Sequence, residues 1–138
     1  MWHAEHTLDT TAEPGRVWQK VAEVAAWPEW DTELAWAKLP GPFSIGAQGT
    51  LKFRTEGPRA FRISAVVPER SFTTLMSLPL AEMRHTHSQE ASAIGTRMTH
   101  RIEIVGALAW FYGWSRGRHL REALAPSMRK LAQVSSGG

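Results

Sequence analysis

The chain contains no cysteine among its 138 residues. Disulfides, thiolate metal sites and cysteine nucleophiles are therefore excluded, and the composition agrees with a reducing compartment. Long apolar runs are also missing, because no segment approaches the roughly 18–20 residues that a transmembrane helix needs. His3, Glu5 and His6 interrupt the apolar core that a secretory signal would require. We therefore expect a soluble, cytoplasmic protein without integral membrane association.

A strong excess of one charge is absent as well. The formal net charge is +3, and residues 116–130 carry five Lys or Arg residues against the single acid Glu122. Nucleic-acid-binding proteins have a stronger and more clustered basic signal. We therefore expect no nucleic-acid partner, and we interpret the basic segment as the solvated face of a helix.

Tryptophan, in contrast, is abundant, with seven residues against a single tyrosine. Trp18, Trp27 and Trp30 fall within one short segment that follows an opening strand at residues 2–9. Pro28 interrupts the helical pattern of this segment, which predicts two short helices in a V. Tryptophan is costly to expose and usually lines a core, a cavity or an interface.

The rest of the chain alternates between short β-rich segments and Gly/Pro punctuation before a long helical segment. The predicted strands after the first are 33–39, 47–55, 59–67, 71–78, 81–90 and 96–106. This order predicts an α+β fold, in which a curved antiparallel sheet of six to seven strands wraps around a long C-terminal helix. One helix about 10 Å wide cannot fill the concave face, so a cavity is expected there.

The last helix is expected to bury one stripe of residues that includes Trp110, Trp114, Gly117 and Leu124. Pro126 is expected to kink this helix or to begin a new turn. We assign residues 1–133 to a single domain and residues 134–138 to a flexible tail.

Four segments resemble the START-like, or SRPBCC, superfamily, which includes polyketide cyclase/dehydrase-like and birch-pollen-allergen-like proteins. They are "AEPGRVWQKVAEVAAWPEWD" (12–31), "GPFSIGAQGTLKF" (41–53), "FRISAVVPERSFTTLM" (61–76) and "GTRMTHRIEIVGALA" (95–109). The resemblance covers nearly the whole chain and implies a helix-grip fold with a hydrophobic cavity between the sheet and the final helix. It also implies that the V of short helices borders the mouth of that cavity.

Side-chain alternation predicts which residues face the cavity. In the last strand His100 shares the apolar face of Met98, and in the preceding strand Met83 sets the inner parity for His85 and His87. A hairpin centred near residue 93 would place His85 almost opposite Arg101 or His100. The predicted ligand-binding residues are Trp27, Trp30, Trp36, Phe53, Phe61, Phe72, Met76, Met83, Met98 and Trp110.

Three interpretations of His85, His87 and His100 remain open. They can bind zinc, they can orient or protonate a ligand as catalytic residues, or they can be structural or solvent-facing. No nearby inward carboxylate is evident that would orient metal-binding imidazoles, and the resemblance implies a superfamily that mostly lacks metals. We therefore expect no metal and no cofactor. Glu29 and Asp31 flank Trp30, and we interpret them as solvating and capping residues.

The expected function is binding of a small, largely hydrophobic ligand, as a carrier or a sensor. The resemblance also admits a polyketide cyclase/aromatase- or dehydratase-like lyase or isomerase that uses a cavity histidine as acid or base. A third hypothesis is a co-chaperone-like module that binds another protein. A homodimer is compatible with all three hypotheses.

Overall fold

The computed structural model describes residues 1–136, which form one antiparallel sheet and three helical segments. The strands are β1 (Trp2–Thr10), β2 (Leu34–Lys38), β3 (Gln48–Phe53), β4 (Pro58–Val67), β5 (Ser71–Leu78), β6 (Ala81–Ala91) and β7 (Thr96–Val105). The helical segments are α1 (Pro14–Ala22), a 3₁₀ helix (Val24–Glu29) and α2 (Ala109–Ser136).

The sheet has the strand order β1-β7-β6-β5-β4-β3-β2, with every neighbouring pair antiparallel. All strands from β2 to β7 follow one another as consecutive hairpins, and β1 closes the row beside β7. Helix α2 packs mainly on β1 and β7. The predicted fold class, a helix-grip arrangement with two short helical segments after the first strand, is confirmed.

The two short helical segments are fixed at one end of the sheet. Helix α1 begins at Pro14, and Pro28 lies inside the 3₁₀ helix. Proline is tolerated in the first helical turn but cannot donate in an α-helical ladder. The side-chain amide of Gln89 donates to the carbonyl of Pro14 at 2.8 Å, and the hydroxyl of Thr96 donates to the carbonyl of Ala12 at 2.7 Å. These bonds tie the beginning of α1 to β6 and β7.

The buried face of α2 agrees with the sequence prediction at Gly117 and Leu124 but not at the two tryptophans. Trp110 and Trp114 are 70% and 79% exposed, so the expected inward stripe is wrong at both positions. The side facing β1 instead contains Gly113 and Gly117, where an added Cβ would lie 2.7 Å from atoms of the Trp2 indole. Because only glycine permits this approach, the helix turns its small residues toward Trp2 and its two tryptophans toward solvent.

The end of α2 reaches into the segment that the sequence analysis assigned to a tail. Pro126 lies inside one continuous helix, and residues 134–136, assigned to a tail from the sequence, form its last turn. Ser135 is buried, and its carbonyl accepts a bond from Nε of Arg16 at 3.2 Å. Residues 137 and 138 lie outside the described residues. No helix among residues 1–136 is long and apolar enough to cross a membrane.

The core closes completely at the end of the sheet next to the 3₁₀ helix. An aromatic cluster fills the concave face there, with the Trp27 ring 5.4 Å from Phe61 and stacked 6.1 Å from Phe72. The Trp27 indole donates to the carbonyl of Val21 at 2.8 Å, so its only polar group is satisfied. The remaining space between sheet and helix lies beyond this cluster.

Candidate functional site

A cavity of about 310 Å³, here called the outer cavity, lies between the concave face of the sheet and the first half of α2. Its apolar walls are formed by Phe53, Met76, Leu78, Met83, Ile104 and Leu120. Ligand pockets in proteins commonly have volumes of about 300–1,000 Å³ and mostly apolar walls. The outer cavity therefore has the size and lining of a site for a small hydrophobic molecule.

A second space of about 70 Å³, the inner chamber, adjoins the outer cavity and shares Glu33, Phe53, Met83, Leu120 and Ala123 with it. The residues that line only the inner chamber include Trp30, Asp31, His85 and His100. The two spaces together form a path from an apolar wall to a group of polar side chains.

The polar end of this path is built on two adjacent strands. His85 and His87 lie two residues apart on β6 and share a face, and His87 is directly opposite His100 on β7. The inward parity of all three histidines agrees with the sequence analysis, but the register is shifted by one residue, since His85 pairs with Ile102. The rings of His87 and His100 stack at 4.1 Å, and those of His85 and His87 lie 4.2 Å apart at 89°.

These imidazoles have unsatisfied nitrogen atoms. Nε2 of His85 and both ring nitrogens of His87 are buried without a hydrogen-bond partner, as is Nε1 of Trp30. Burial lowers the pKa of His85 to about 4. Burial, reinforced by the neighbouring imidazoles, also holds the pKa values of His87 and His100 well below the usual range. All three rings are therefore neutral at physiological pH.

Asp31 has the opposite shift. Burial raises its pKa from 3.8 to about 6, and the nearby Glu33 carboxylate adds to the rise. The backbone N–H of Glu33 donates to Oδ1 of Asp31 at 3.1 Å and acts in the other direction. Among the residues whose pKa is shifted, Asp31 therefore has the pKa closest to neutral pH.

The entrance of the outer cavity is charged. Glu56 accepts hydrogen bonds from Arg116 on α2 and, at 3.1 Å, from Arg59 on β4. Partial burial acts to raise the pKa of Glu56, but these two bonds outweigh it and lower the value. His119 Nε2 lies 3.1 Å from Oε1 of Glu33. Ion pairs at this exposure contribute at most about 1 kcal/mol, so opening the entrance has a small cost.

The ten predicted ligand-binding residues divide into two groups. Four of them line the outer cavity or the inner chamber: Trp30, Phe53, Met76 and Met83. The other six lie elsewhere: Trp27, Trp36, Phe61, Phe72, Met98 and Trp110. Of the three predicted catalytic residues, His85 and His100 line the inner chamber, and His87 lies behind them.

Each of the six displaced residues has a physical reason for its position. Trp27, Phe61, Phe72 and Met98 belong to the closed part of the core. A bulge between Leu34 and Trp36 breaks the alternation of β2, so Trp36 leaves the inner face and lies under Nζ of Lys38 instead. Trp110 is exposed because of the orientation of α2 described above.

Sequence reasoning missed the acidic part of the site. Asp31 accepts a hydrogen bond from the backbone N–H of Glu33, in agreement with its interpretation as a capping residue, but it also lines the inner chamber with Trp30. The two arginines of the entrance were also missed. The only available signal was the position of Asp31 directly after a tryptophan assigned to the cavity wall, and it does not reveal burial of the carboxyl group.

Comparisons with known proteins agree with this architecture. The model of a family described as polyketide cyclase/dehydrase and lipid transport matches residues 1–133. No curated protein matches the sequence. A protein of Thermus thermophilus has a similar structure, with a TM-score of 0.77, 11% identity, and coverage of 99% of this chain and 98% of that chain.

Two further solved structures are similar. The di-domain ARO/CYC BexL from the BE-7585A biosynthetic pathway has a TM-score of 0.76 and 19% identity, over 98% of this chain and 48% of that chain. Ara h 8.0201 has a TM-score of 0.72 and 8% identity, over 99% of both chains. These identities establish a shared fold alone. The family match over residues 1–133 shows that the chain belongs to the polyketide cyclase/dehydrase and lipid-transport family of the SRPBCC superfamily.

Proposed function

We propose that the protein is a carrier or sensor that binds a small, largely hydrophobic molecule with one polar end. The observation that carries the proposal is the apolar outer cavity that leads into a chamber lined by neutral imidazoles. The apolar body of the ligand would lie against Phe53, Met76 and Met83. Its polar end would lie in the inner chamber.

The unsatisfied nitrogens of the chamber support a polar end on the ligand. Buried polar groups are nearly always hydrogen-bonded, and an unpaired one costs about 1–3 kcal/mol. A carbonyl or hydroxyl oxygen that enters the chamber can accept from the Trp30 indole N–H or exchange hydrogen bonds with His85. A purely apolar ligand would leave these groups unpaired, so we expect the site to prefer amphipathic molecules.

The proposal is tested by blocking the path between the two spaces. Ala123 lines both, and Ala123→Phe places a ring in their junction. Binding of 1-anilinonaphthalene-8-sulfonate, measured by its fluorescence, should weaken at least tenfold in this variant. Native mass spectrometry of the purified wild-type protein should also detect a co-purified small molecule that Ala123→Phe loses.

Glu122→Phe is the matched control, because it adds the same ring one residue away at a solvent-exposed position. It should bind the dye with wild-type affinity. Equal affinity of the wild type and Ala123→Phe would show that the dye binds outside the cavity, and the proposal would then lose its site.

A second candidate function is a cyclase- or dehydratase-like enzyme, and the position of Asp31 favours it. Its pKa of about 6 allows the carboxyl group to accept and return a proton near neutral pH. His85 is a weaker base because burial lowers its pKa to about 4, but its neutral ring has an N–H that can donate to a ligand carbonyl. Asp31, rather than a histidine, would then remove the proton next to that carbonyl.

Exchange of the α-protons of 1-tetralone in deuterated buffer tests this candidate. The wild type should accelerate the exchange, and Asp31→Asn and His85→Ala should each lose most of the acceleration while they still bind 1-anilinonaphthalene-8-sulfonate. If wild type and both variants exchange the ketone at the rate of buffer alone, the binding function stands without catalysis of this kind.

A further inference from the structure

We propose that His85, His87 and His100 form a site for one divalent transition-metal ion, with Zn²⁺ as the reference ion. The juxtaposition of a His-x-His pair on β6 with a directly opposed histidine on β7 carries this inference. It concerns the same chamber as the proposed function but does not depend on it, because the ion alone is sufficient as a probe.

The strands bring the three side chains together by their regular geometry. Residues two apart on a strand project to the same face, and directly opposed residues on antiparallel strands are cross-strand neighbours. One ring nitrogen from each histidine can be chosen so that all three lie within 4.8 Å of one another. The backbone of two hydrogen-bonded strands therefore presents three potential ligands without any loop.

The second observation is the unsatisfied nitrogen atoms. His87 is 8% exposed, and neither of its ring nitrogens has a partner. Nε2 of His85 is likewise buried and unpaired. An imidazole that packs only for structural reasons normally donates or accepts at least one hydrogen bond. A cation held by the three rings would satisfy one unpaired nitrogen of His85 or His87, or of both.

The donor set selects the class of ion. Neutral imidazole suits Zn²⁺, Cu²⁺, Ni²⁺ and Fe²⁺, whereas Ca²⁺ and Mg²⁺ require oxygen ligands. Three protein ligands with a fourth position left for water or substrate are typical of catalytic zinc sites, and three histidines are one such set. His85 and His100 line the inner chamber, so the fourth position would open toward Asp31 and the bound ligand.

Binding requires a local rearrangement of the rings. Zinc–nitrogen distances of about 2.0–2.1 Å place tetrahedral ligand atoms roughly 3.4 Å apart, which is closer than the present limit of 4.8 Å. The rings of His87 and His100 are nearly parallel, at 17°, so their in-plane lone pairs cannot meet at one ion until one ring rotates. The inner chamber beside His100 provides the space for that rotation.

The test is titration of the metal-free wild type with Zn²⁺ by calorimetry, and with Co²⁺ by visible absorption. We expect one ion per chain and a Co²⁺ spectrum of a four- or five-coordinate site. His85→Ala and His87→Ala should each weaken Zn²⁺ binding at least tenfold. His85 is less buried than His87, so His85→Ala remains informative if the substitution at His87 prevents folding.

His3→Ala is the control, because His3 is exposed on β1. It should leave the affinity unchanged. Absence of binding by the wild type at micromolar to submillimolar Zn²⁺, or equal binding by wild type and His85→Ala, would overturn the metal site. Either result leaves the dye experiment on Ala123→Phe unaffected, so the two proposals fail separately.

Discussion

At the scale of single residues, the inner chamber combines a carboxylic acid whose pKa is raised with histidines whose pKa values are lowered. Both shifts have the same main cause, which is the removal of water from Asp31 and from the histidines. Such groups lower stability, and they are retained at functional sites where the uncharged form is needed. Their common location in one chamber is the residue-scale argument for function.

Asp31→Asn should stabilise the protein above neutral pH. Because the folded-state pKa of about 6 exceeds the ordinary value of 3.8, the native state holds a proton that the unfolded state has released between these values. Stability is therefore lost as pH rises through 6, by about 1–3 kcal/mol at pH 8. Asparagine retains the oxygen that accepts the backbone bond from Glu33.

Urea unfolding at pH 8 and pH 5 measures the effect. The gain in free energy of unfolding for Asp31→Asn should be larger at pH 8 than at pH 5. A variant that is less stable than the wild type at both values would mean that Asp31 is ionised without cost, and its proposed role in proton transfer would be lost.

At the scale of elements, the first half of α2 makes a close contact with one tryptophan of β1. Trp2 lies against Gly113 and Gly117, and its ring also lies 5.5 Å from the guanidinium of Arg121. Sequence periodicity predicted the extent of this helix and the inward position of Gly117 and Leu124, but it placed Trp110 and Trp114 on the same face because tryptophan counts as a buried residue. Trp2 and Gly117 are far apart in the sequence, so local periodicity cannot predict their contact.

Substitution of either glycine tests this packing. Gly117→Ala should gain up to about 1 kcal/mol of helix propensity but lose about 1–3 kcal/mol through overpacking against Trp2. We therefore expect a net decrease in the free energy of unfolding. Trp2→Leu combined with Gly117→Ala should recover the propensity gain, so the two substitutions should be strongly non-additive in urea unfolding. Additive effects would place Trp2 away from the helix.

The hairpin of β6 and β7 illustrates what alternation predicts and what it does not. The apolar residues Met83 and Met98 fixed which face the histidines occupy, because one buried face leaves no choice of parity. The cross-strand partner depends on the turn, where Gly95 has a φ of 155° and Ser92 forms hydrogen bonds with it. Each change of one residue in that register moves the partner of His100 by one position, and the observed turn places His87 opposite it.

At the scale of the whole molecule, the position of the cavity results from unequal filling of one concave face. The aromatic cluster around Trp27 closes one end, and α2 leaves the other end open beside Phe53 and Met83. Sequence reasoning predicted the fold and the existence of a cavity but treated the entire inner face as its lining. The packing position of the 3₁₀ helix determines which end of the concave face remains open. This packing joins segments that are distant in the sequence, so no local sequence pattern predicts it.

Burial of three neutral histidines should also make the metal-free protein sensitive to acid as a whole. The unfolded chain protonates these residues near pH 6.5, whereas folded His85 resists protonation until about pH 4, and His87 and His100 resist it further. The unfolded state then binds more protons, so stability falls as pH drops below 6.5. Asp31 acts in the opposite direction, because near pH 5 its carboxyl group is protonated in the folded state and ionised in the unfolded state. The free energy of unfolding should therefore fall by about 2–3 kcal/mol per pH unit near pH 5.

His85→Gln removes one of the three sites and should flatten that slope by the contribution of one proton, roughly 1 kcal/mol per pH unit. Urea unfolding between pH 7 and pH 4.5 in the presence of EDTA measures both slopes, and His3→Gln should follow the wild type because its side chain is exposed. Parallel curves for the wild type and His85→Gln would show that the imidazole of His85 is protonated as readily in the folded chain as in water. Water would then occupy the inner chamber freely, and the chamber would not provide a dry polar end for a hydrophobic ligand.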